Sequence, residues 1–348
     1  MPSLFESGVF GKGIPAWHGQ GNVVEGTFDF DSIFPADGTP GIAGINWGVR
    51  KRPLFVQLEN GTFVLQPDTF GVVRDGDDAI LTHNGRSVGG GYDEILNRDA
   101  FAFLRDSMED HTLQWETAIS VDGGATVAGI VALPDSGIDI LKGDRHFLYL
   151  TVVTTHDGSG SMKVFPTDVR VVCANTVAAA LSSRDRSLTV NVRHSGSTAN
   201  KLSESKRILQ SATAEYQRFL EWQGRLTDVS ASAKQVEEVA AQLFGTAPKD
   251  ASDRSKTIID NKVLALKQAI RDDIALLPQY AASGGGASAY NVFNGITSVV
   301  DHTFGEQGGE SRQRFQYAML PQGTGTKLKN QGIDVVADVF GVPLVAVK

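Results

Sequence analysis

WETAISVDGGATVAGIVALPDSGIDILKGDRHFLYLTVVTTHDGSGSMKVFPTDVRVV, residues 115–172, is a run of branched, aromatic and small apolar side chains broken at intervals by turn residues. It divides into Trp115 to Val121, Ala125 to Leu133, His146 to Thr155 and Met162 to Val172. The divisions fall at Asp122-Gly123-Gly124, Asp135 to Gly137 and Asp157 to Gly160. That pattern predicts an antiparallel meander with one buried face. Leu188 to Arg193 predicts a further strand, and the alanine-rich Ala174 to Leu181 predicts a helix inserted before it.

Toward the N-terminus, Leu54 to Leu58, Thr62 to Leu65 and Phe70 to Val73 are short β-prone runs. Asn60-Gly61 between the first two predicts a β-hairpin, because both central residues of the favoured turn need positive φ. Phe101, Leu104 and Met108 recur at helical spacing behind Asn97, which predicts a short helix with Asn97 as its cap. Beyond the meander the period changes. Leu202, Leu209, Ala212, Tyr216, Phe219 and Leu226 lie on one face of a long amphipathic helix that starts near Ser197 or Thr198. Further helices are expected over Ser232 to Phe244, Thr257 to Leu277, Ala289 to Thr303 and Lys327 to Phe340. The fold class is therefore α+β, with a β-rich core domain over 1–195 and a helical region over 196–348. Linkers are expected near 245–256 and 281–288.

The chain has 348 residues, of which 41% are hydrophobic and 21% charged, an ordinary composition for a sequence that buries a core. Its single cysteine, Cys173, leaves no internal disulfide, and the first residues lack a secretory pattern, so a reducing cytoplasm is expected. No apolar run approaches the roughly 20 residues of a membrane-spanning helix. The net charge of -8 opposes binding of nucleic acid by overall charge. One stretch runs the other way. Between Arg184 and Arg225, Arg184, Arg186, Arg193, Lys201, Lys206, Arg207, Arg218 and Arg225 face four acids, a local excess of +4. Such charges are commonly the solvated face of a helix, but they also suit a track for a sugar-phosphate backbone, with Tyr216 and Trp222 stacking on bases if exposed.

Four clusters carry candidate chemistry. Trp17-His18-Gly19-Gln20-Gly21 is either a partner contact or an aromatic anchor in a tight turn. Cys173 with His194 has the composition of a nucleophile and its base, yet a cysteine closing an apolar strand reads as buried and inert. Asn294, Asp301 and His302 share neighbouring stripes of one helix, an arrangement for an interhelical hydrogen-bond network or, less commonly, for a base or metal ligand. Gly323 to Lys329, with Lys327 and Lys329, opens a helix as an anion cradle would, without the spacing of a nucleotide-hydrolase phosphate loop. No cofactor and no metal are expected.

In order and spacing these elements resemble a phage/plasmid-like family of unknown function found in prophages, actinobacterial phages and conjugative plasmids. The matching positions are Trp17 to Gly21, Gly90, Tyr92, Asn97, Arg170 to Thr176, His194 to Ser197, Asn294 to His302 and Gly323 to Lys329. Gln20, Gly295 and Ser298 depart from it. The resemblance implies a mobile genetic element in a host cytoplasm. By architectural analogy with phage single-strand annealing proteins, it implies a non-enzymatic, homo-oligomeric binder of single-stranded nucleic acid acting in recombination or replication. Arg184, Arg186, Arg193, Lys201, Arg207, Lys327 and Lys329 are its expected phosphate contacts. Trp17, His18, Asn294, Asp301 and His302 form a candidate polar site. The alternatives are a structural or self-assembling phage protein, and a metal-dependent hydrolase or nuclease using Asp301, His302 and His18.

Overall fold

In the computed structural model, residues 7–10, 28–82, 85–105, 113–160, 162–170, 175–178, 190–192, 213–214, 216–248, 250–282, 286–304 and 323–344 are described. Trp17, His18, Cys173, Arg184, Arg186, Arg193, His194, Lys201 and Arg207 lie outside them. Over the described residues the chain is α+β, with an antiparallel sheet in its first half and helices in its second.

The sheet has eight strands. Strands β1 (Ser7–Phe10), β4 (Gln114–Val121), β5 (Thr126–Ala132), β7 (Arg145–Thr155), β8 (Met162–Arg170) and β10 (Val190–Val192) are neighbours in that order. The two-residue β6 (Ile138–Asp139) extends one side of β7, and β9 (Asn175–Ala178) pairs with β8. Every pairing is antiparallel.

Two expectations are corrected here. Asn175–Ala178 is a strand, not the start of an inserted helix, because Thr176 and Val177 find ladder partners in Val169 and Asp168. Pairing outweighs the weak helical preference of four residues. The meander is also buried on both faces rather than one. Val127, Val131, Leu150 and Val152 face one side and Ala128, Ile130 and Val153 the other, and all seven are buried. The near-continuous apolar run from Val127 is the sequence trace of that two-sided burial.

The first face packs under α1 (Phe30–Ile33) and α2 (Asn97–Phe101), where the rings of Phe34 at the end of α1, Phe101 of α2 and Trp115 of β4 lie 5.6 to 6.4 Å apart. Gly129 sits directly beneath them on β5. Asn97 does not cap α2. Leu96 holds that place, while the buried Asn97 side chain donates to the Ile45 carbonyl and meets His156 Nε2 at 2.8 Å.

A separate two-stranded ribbon is formed by β2 (Val49–Gln57) and β3 (Phe63–Arg74). Its turn differs from the expected one. Gly61 alone has positive φ, Leu58 N–H donates to the Thr62 carbonyl, and Asn60 Oδ1 accepts from Thr62 N–H, the pattern of a three-residue loop closed by glycine.

In the second half, α3 spans residues 216–227 among those described. It is followed by α4 (Ala233–Phe244), α5 (Asp253–Leu276), α6 (Ala289–Ser298) and α7 (Thr324–Val339). Ser232 and Ser288 open α4 and α6 with capping boxes, and Ser252 caps α5. Ala282 N–H donates to the Gly286 carbonyl and Ala289 N–H to that of Val229. Helix α6 is central, with nine buried residues packed between α5, α7 and the α3 side chains Phe219 and Trp222. Gly295 permits that packing, because a Cβ there would lie 2.7 Å from Ile270. No helix among the described residues is long and apolar enough to cross a membrane.

Gly129→Ala tests the central contact of the sheet. A Cβ at this position would overlap the Trp115 indole and approach Phe101 Cε1 to 2.7 Å, and both rings are fully buried. We expect a loss of about 1 to 3 kcal/mol in urea unfolding, the usual range for overpacking; an unchanged midpoint would show that the rings can yield.

Candidate functional site

Two of the sequence clusters meet inside the helical half. After Ser298, α6 widens into a single π-helical turn, Val299–Phe304, which carries Asp301 and His302. Such turns recur at functional sites because the extra residue re-aims the side chains beyond it. Asp301 Oδ1 accepts a hydrogen bond from Lys329 Nζ at 2.7 Å, and both side chains are fully buried. Burial pulls the Lys329 ammonium below the ordinary lysine pKa, opposed by the Asp301 carboxylate. Lys329, expected as a phosphate contact, is thereby removed from that set, since a buried and paired ammonium cannot meet a polymer. Asn294 is buried on the same helix, its carbonyl accepting from Thr297 Oγ1, while His302 is half-buried. The stacking expected of Tyr216 and Trp222 is overturned in the same way. Both are core residues of α3, and Trp222 Nε1 donates to the Val342 carbonyl at 2.8 Å.

Lys327 has the opposite fate. Exposed on the first turns of α7, it rims an open cleft of about 460 Å3 walled by Leu243, Phe244, Phe304 and Leu328. Lys262 from α5 also lines it, 5.7 Å from the centre of the Phe304 ring, and Phe244 meets that ring edge-on. The N-cap of α7, Gly323, offers no side-chain acceptor, so the positive end of the helix adds to the two lysines.

A third cluster had no forecast. His146 on β7 and Asp168 on β8 are diagonal neighbours on one face, with His146 Nδ1 3.0 Å from Asp168 Oδ2. His146 Nε2 lies 3.2 Å from the Tyr290 hydroxyl, and that hydroxyl donates to Asp144 in the turn before β7. Gln223 of α3 also donates to Asp168. All five side chains are buried. Burial opposes the imidazolium, but the charge of Asp168, hydrogen bonds to Asp144 and Asp168, and the charge of Asp144 outweigh it and raise the histidine pKa to about 9. Burial and then the Asp168 charge push the Tyr216 phenol upward. This sealed, charged junction ties the sheet to α3 and α6. Among the described residues no group of three or more His, Cys, Asp or Glu is placed to hold a metal ion.

The outer part of the β2–β3 ribbon is the most exposed apolar surface described. Phe55, Leu65 and Phe63 project from one face and Val56, Val64 and Leu58 from the other, with Phe55 56% and Phe63 64% exposed. Between Leu54 and Gln66 the only charged residue is Glu59. The base is anchored by buried Val49, Val72, Leu81 and Val88. Lys51 Nζ donates there to the carbonyls of Gly90 and Tyr92.

The domain of unknown function DUF932 matches residues 86–319 of the chain. The ribbon lies ahead of the matched span. No curated protein and no solved structure matches the chain.

Removing one member of the Asp301–Lys329 pair leaves an uncompensated buried charge. Lys329→Met is therefore expected to cost about 3 to 5 kcal/mol, and adding Asp301→Leu to recover much of it; a single variant as stable as the parent would refute a desolvated pair. The junction predicts a pH dependence. His146 binds its proton more tightly folded than unfolded, so its contribution is complete below pH 6.5 and fades as the pH rises toward 9. The amplitude is about 3 kcal/mol from the size of that shift. Thermal unfolding across this window should show the slope in the parent chain and lose it in His146→Gln.

Proposed function

Because the chain belongs to the DUF932 family, whose function is unknown, we propose from its own surface that it is a self-assembling interaction protein. Its setting would be a mobile genetic element in a host cytoplasm, the context that the resemblance to phage and plasmid proteins implies. The observation that carries this reading is the β2–β3 arm, six large apolar side chains exposed on the two faces of one ribbon. Contiguous apolar surface of this kind marks interaction sites in soluble proteins. An isolated two-stranded hairpin is only marginally stable in water, so a buried base with a bare tip is an economical shape only if the tip is covered in use. A second copy of the chain is the occupant that charge favours. The tip of the arm carries one negative charge, Glu59, and the same chain presents an apolar cleft lined by two lysines.

Single-stranded nucleic acid is the second reading. It is supported by Lys262 and Lys327 beside the Phe304 ring, which together offer charge and a stacking surface. Its phosphate contacts Arg184, Arg186, Arg193, Lys201 and Arg207 remain expectations of the sequence. A hydrolase or nuclease built on Asp301 has lost support, because that carboxylate is committed to Lys329.

Sedimentation velocity, alone and with a labelled single-stranded oligonucleotide, separates the readings. The parent chain is expected to sediment as an oligomer and the Val56→Asp/Phe63→Asp variant as a monomer, with unfolding stability within about 0.5 kcal/mol of the parent, as for surface changes generally. A monomeric parent would overturn self-assembly. Oligonucleotide bound by the monomeric variant, and lost at high salt, would favour the nucleic-acid reading instead.

A further inference from the structure

We infer that the tip of the β2–β3 arm of one copy seats in the Phe244/Phe304 cleft of the next copy, with Glu59 between Lys262 and Lys327. The inference rests on the self-assembly reading above and adds to it a receiving site and a geometry. Two features of the two surfaces match.

The first is shape. Leu58 and Phe63 flank the three-residue loop and leave the ribbon on opposite faces, since Phe63 pairs with Gln57 while Leu58 shares the side of Val56. A tip entering end-on therefore offers apolar groups to both walls of a cleft. The cleft is lined by apolar side chains of α4, α7 and the π-helical turn and has a volume of about 460 Å3, within the range that accommodates a few side chains.

The second is charge. Glu59 is exposed at the apex, and no other charge lies on the tip. Lys262, Lys327 and the uncapped start of α7 make the cleft rim positive in a chain whose net charge is -8. Complementary charges of this kind set register and suppress wrong partners more than they add affinity. Arm and cleft are different surfaces of one chain, so two copies that exchange arms reciprocally close a two-fold dimer, and a contact that is not returned builds a closed ring or an open filament.

Charge swapping tests the docking separately from self-assembly. Glu59→Lys is expected to weaken association about tenfold or more in sedimentation equilibrium, as is Lys262→Glu/Lys327→Glu. Combining all three in one chain should restore association. The changed side chains are exposed or half-buried, and circular dichroism and melting checks confirm that each variant folds. The parent should be oligomeric, seen by mass photometry and negative-stain imaging. If Val56→Asp/Phe63→Asp abolishes assembly while the cleft reversal leaves it intact, self-assembly stands and this docking is overturned. A monomeric parent overturns it equally. Loss in both single-surface variants with no recovery in the combined chain also counts against the pairing of Glu59 with these lysines.

Discussion

Asp144, His146 and Asp168 would each be costly to bury alone, and the chain buries them together where the sheet meets the helices. The imidazolium stands between two carboxylates, and the Tyr290 hydroxyl closes the circuit from the second residue of α6. That contact fixes where α6 begins. The Ser288–Asn291 capping box then satisfies its first turn, and Asn291 Nδ2 donates to the buried Asp273 of α5 at 2.8 Å. With one end held by the sheet and one flank by α5, a helix of almost wholly buried residues has a single way to lie. Everything beyond it inherits that placement.

What α6 hands on is the π-helical turn. The extra residue in Val299–Phe304 rotates Asp301 inward to Lys329 and carries Phe304 outward to the cleft. The buried ion pair is weak evidence for stability in itself, because desolvating two charges offsets most of their attraction. Its consequence is positional. Lys329 locked to Asp301 sets the rotation of α7, and the same rotation leaves Lys327 exposed two residues earlier on the cleft rim. Gly332 lets this happen at close range, since a Cβ there would lie 2.9 Å from Ile296.

The sequence was most legible where one residue's environment depends on its neighbours in the chain. Strands β4, β5, β7 and β8 follow the apolar runs and their turn residues, and α4 through α7 overlap the four helices expected after residue 231. It was least legible where partners are distant. His146 and Tyr290 are 144 residues apart, and nothing in either neighbourhood announces the other. Asn97 has the composition of a cap and is spent instead on Ile45 and His156, 52 and 59 residues away. Thr176 and Val177 sit in an alanine-rich stretch that reads as a helix until β8 offers them a ladder. The Gly323 to Lys329 loop shows the finest division. Its two lysines look alike in sequence, and the helix phase alone sends one into the core and one to solvent. Lys262, which completes the cleft, carried no signal, because a lysine on a long polar helix is the commonest of surface residues.

The arm illustrates the same limit from the other side. Phe55 to Leu58 and Phe63 to Leu65 read as ordinary strands, and their apolar composition on both faces suggests a place inside a sheet. Instead the ribbon forms no ladder with the eight-stranded sheet, and Trp47 packs against both the core at the ribbon's base and the core under the sheet. The base is where the fold spends its polar contacts: Asp68 accepts from Gly90 N–H, and Lys51 reaches the Gly90 and Tyr92 carbonyls. A ribbon anchored this firmly is presented in one orientation, so a partner need not supply the entropy of ordering it on binding. Apolar composition, a rigid root and a single apical charge together suit the proposed seating of the tip in a cleft.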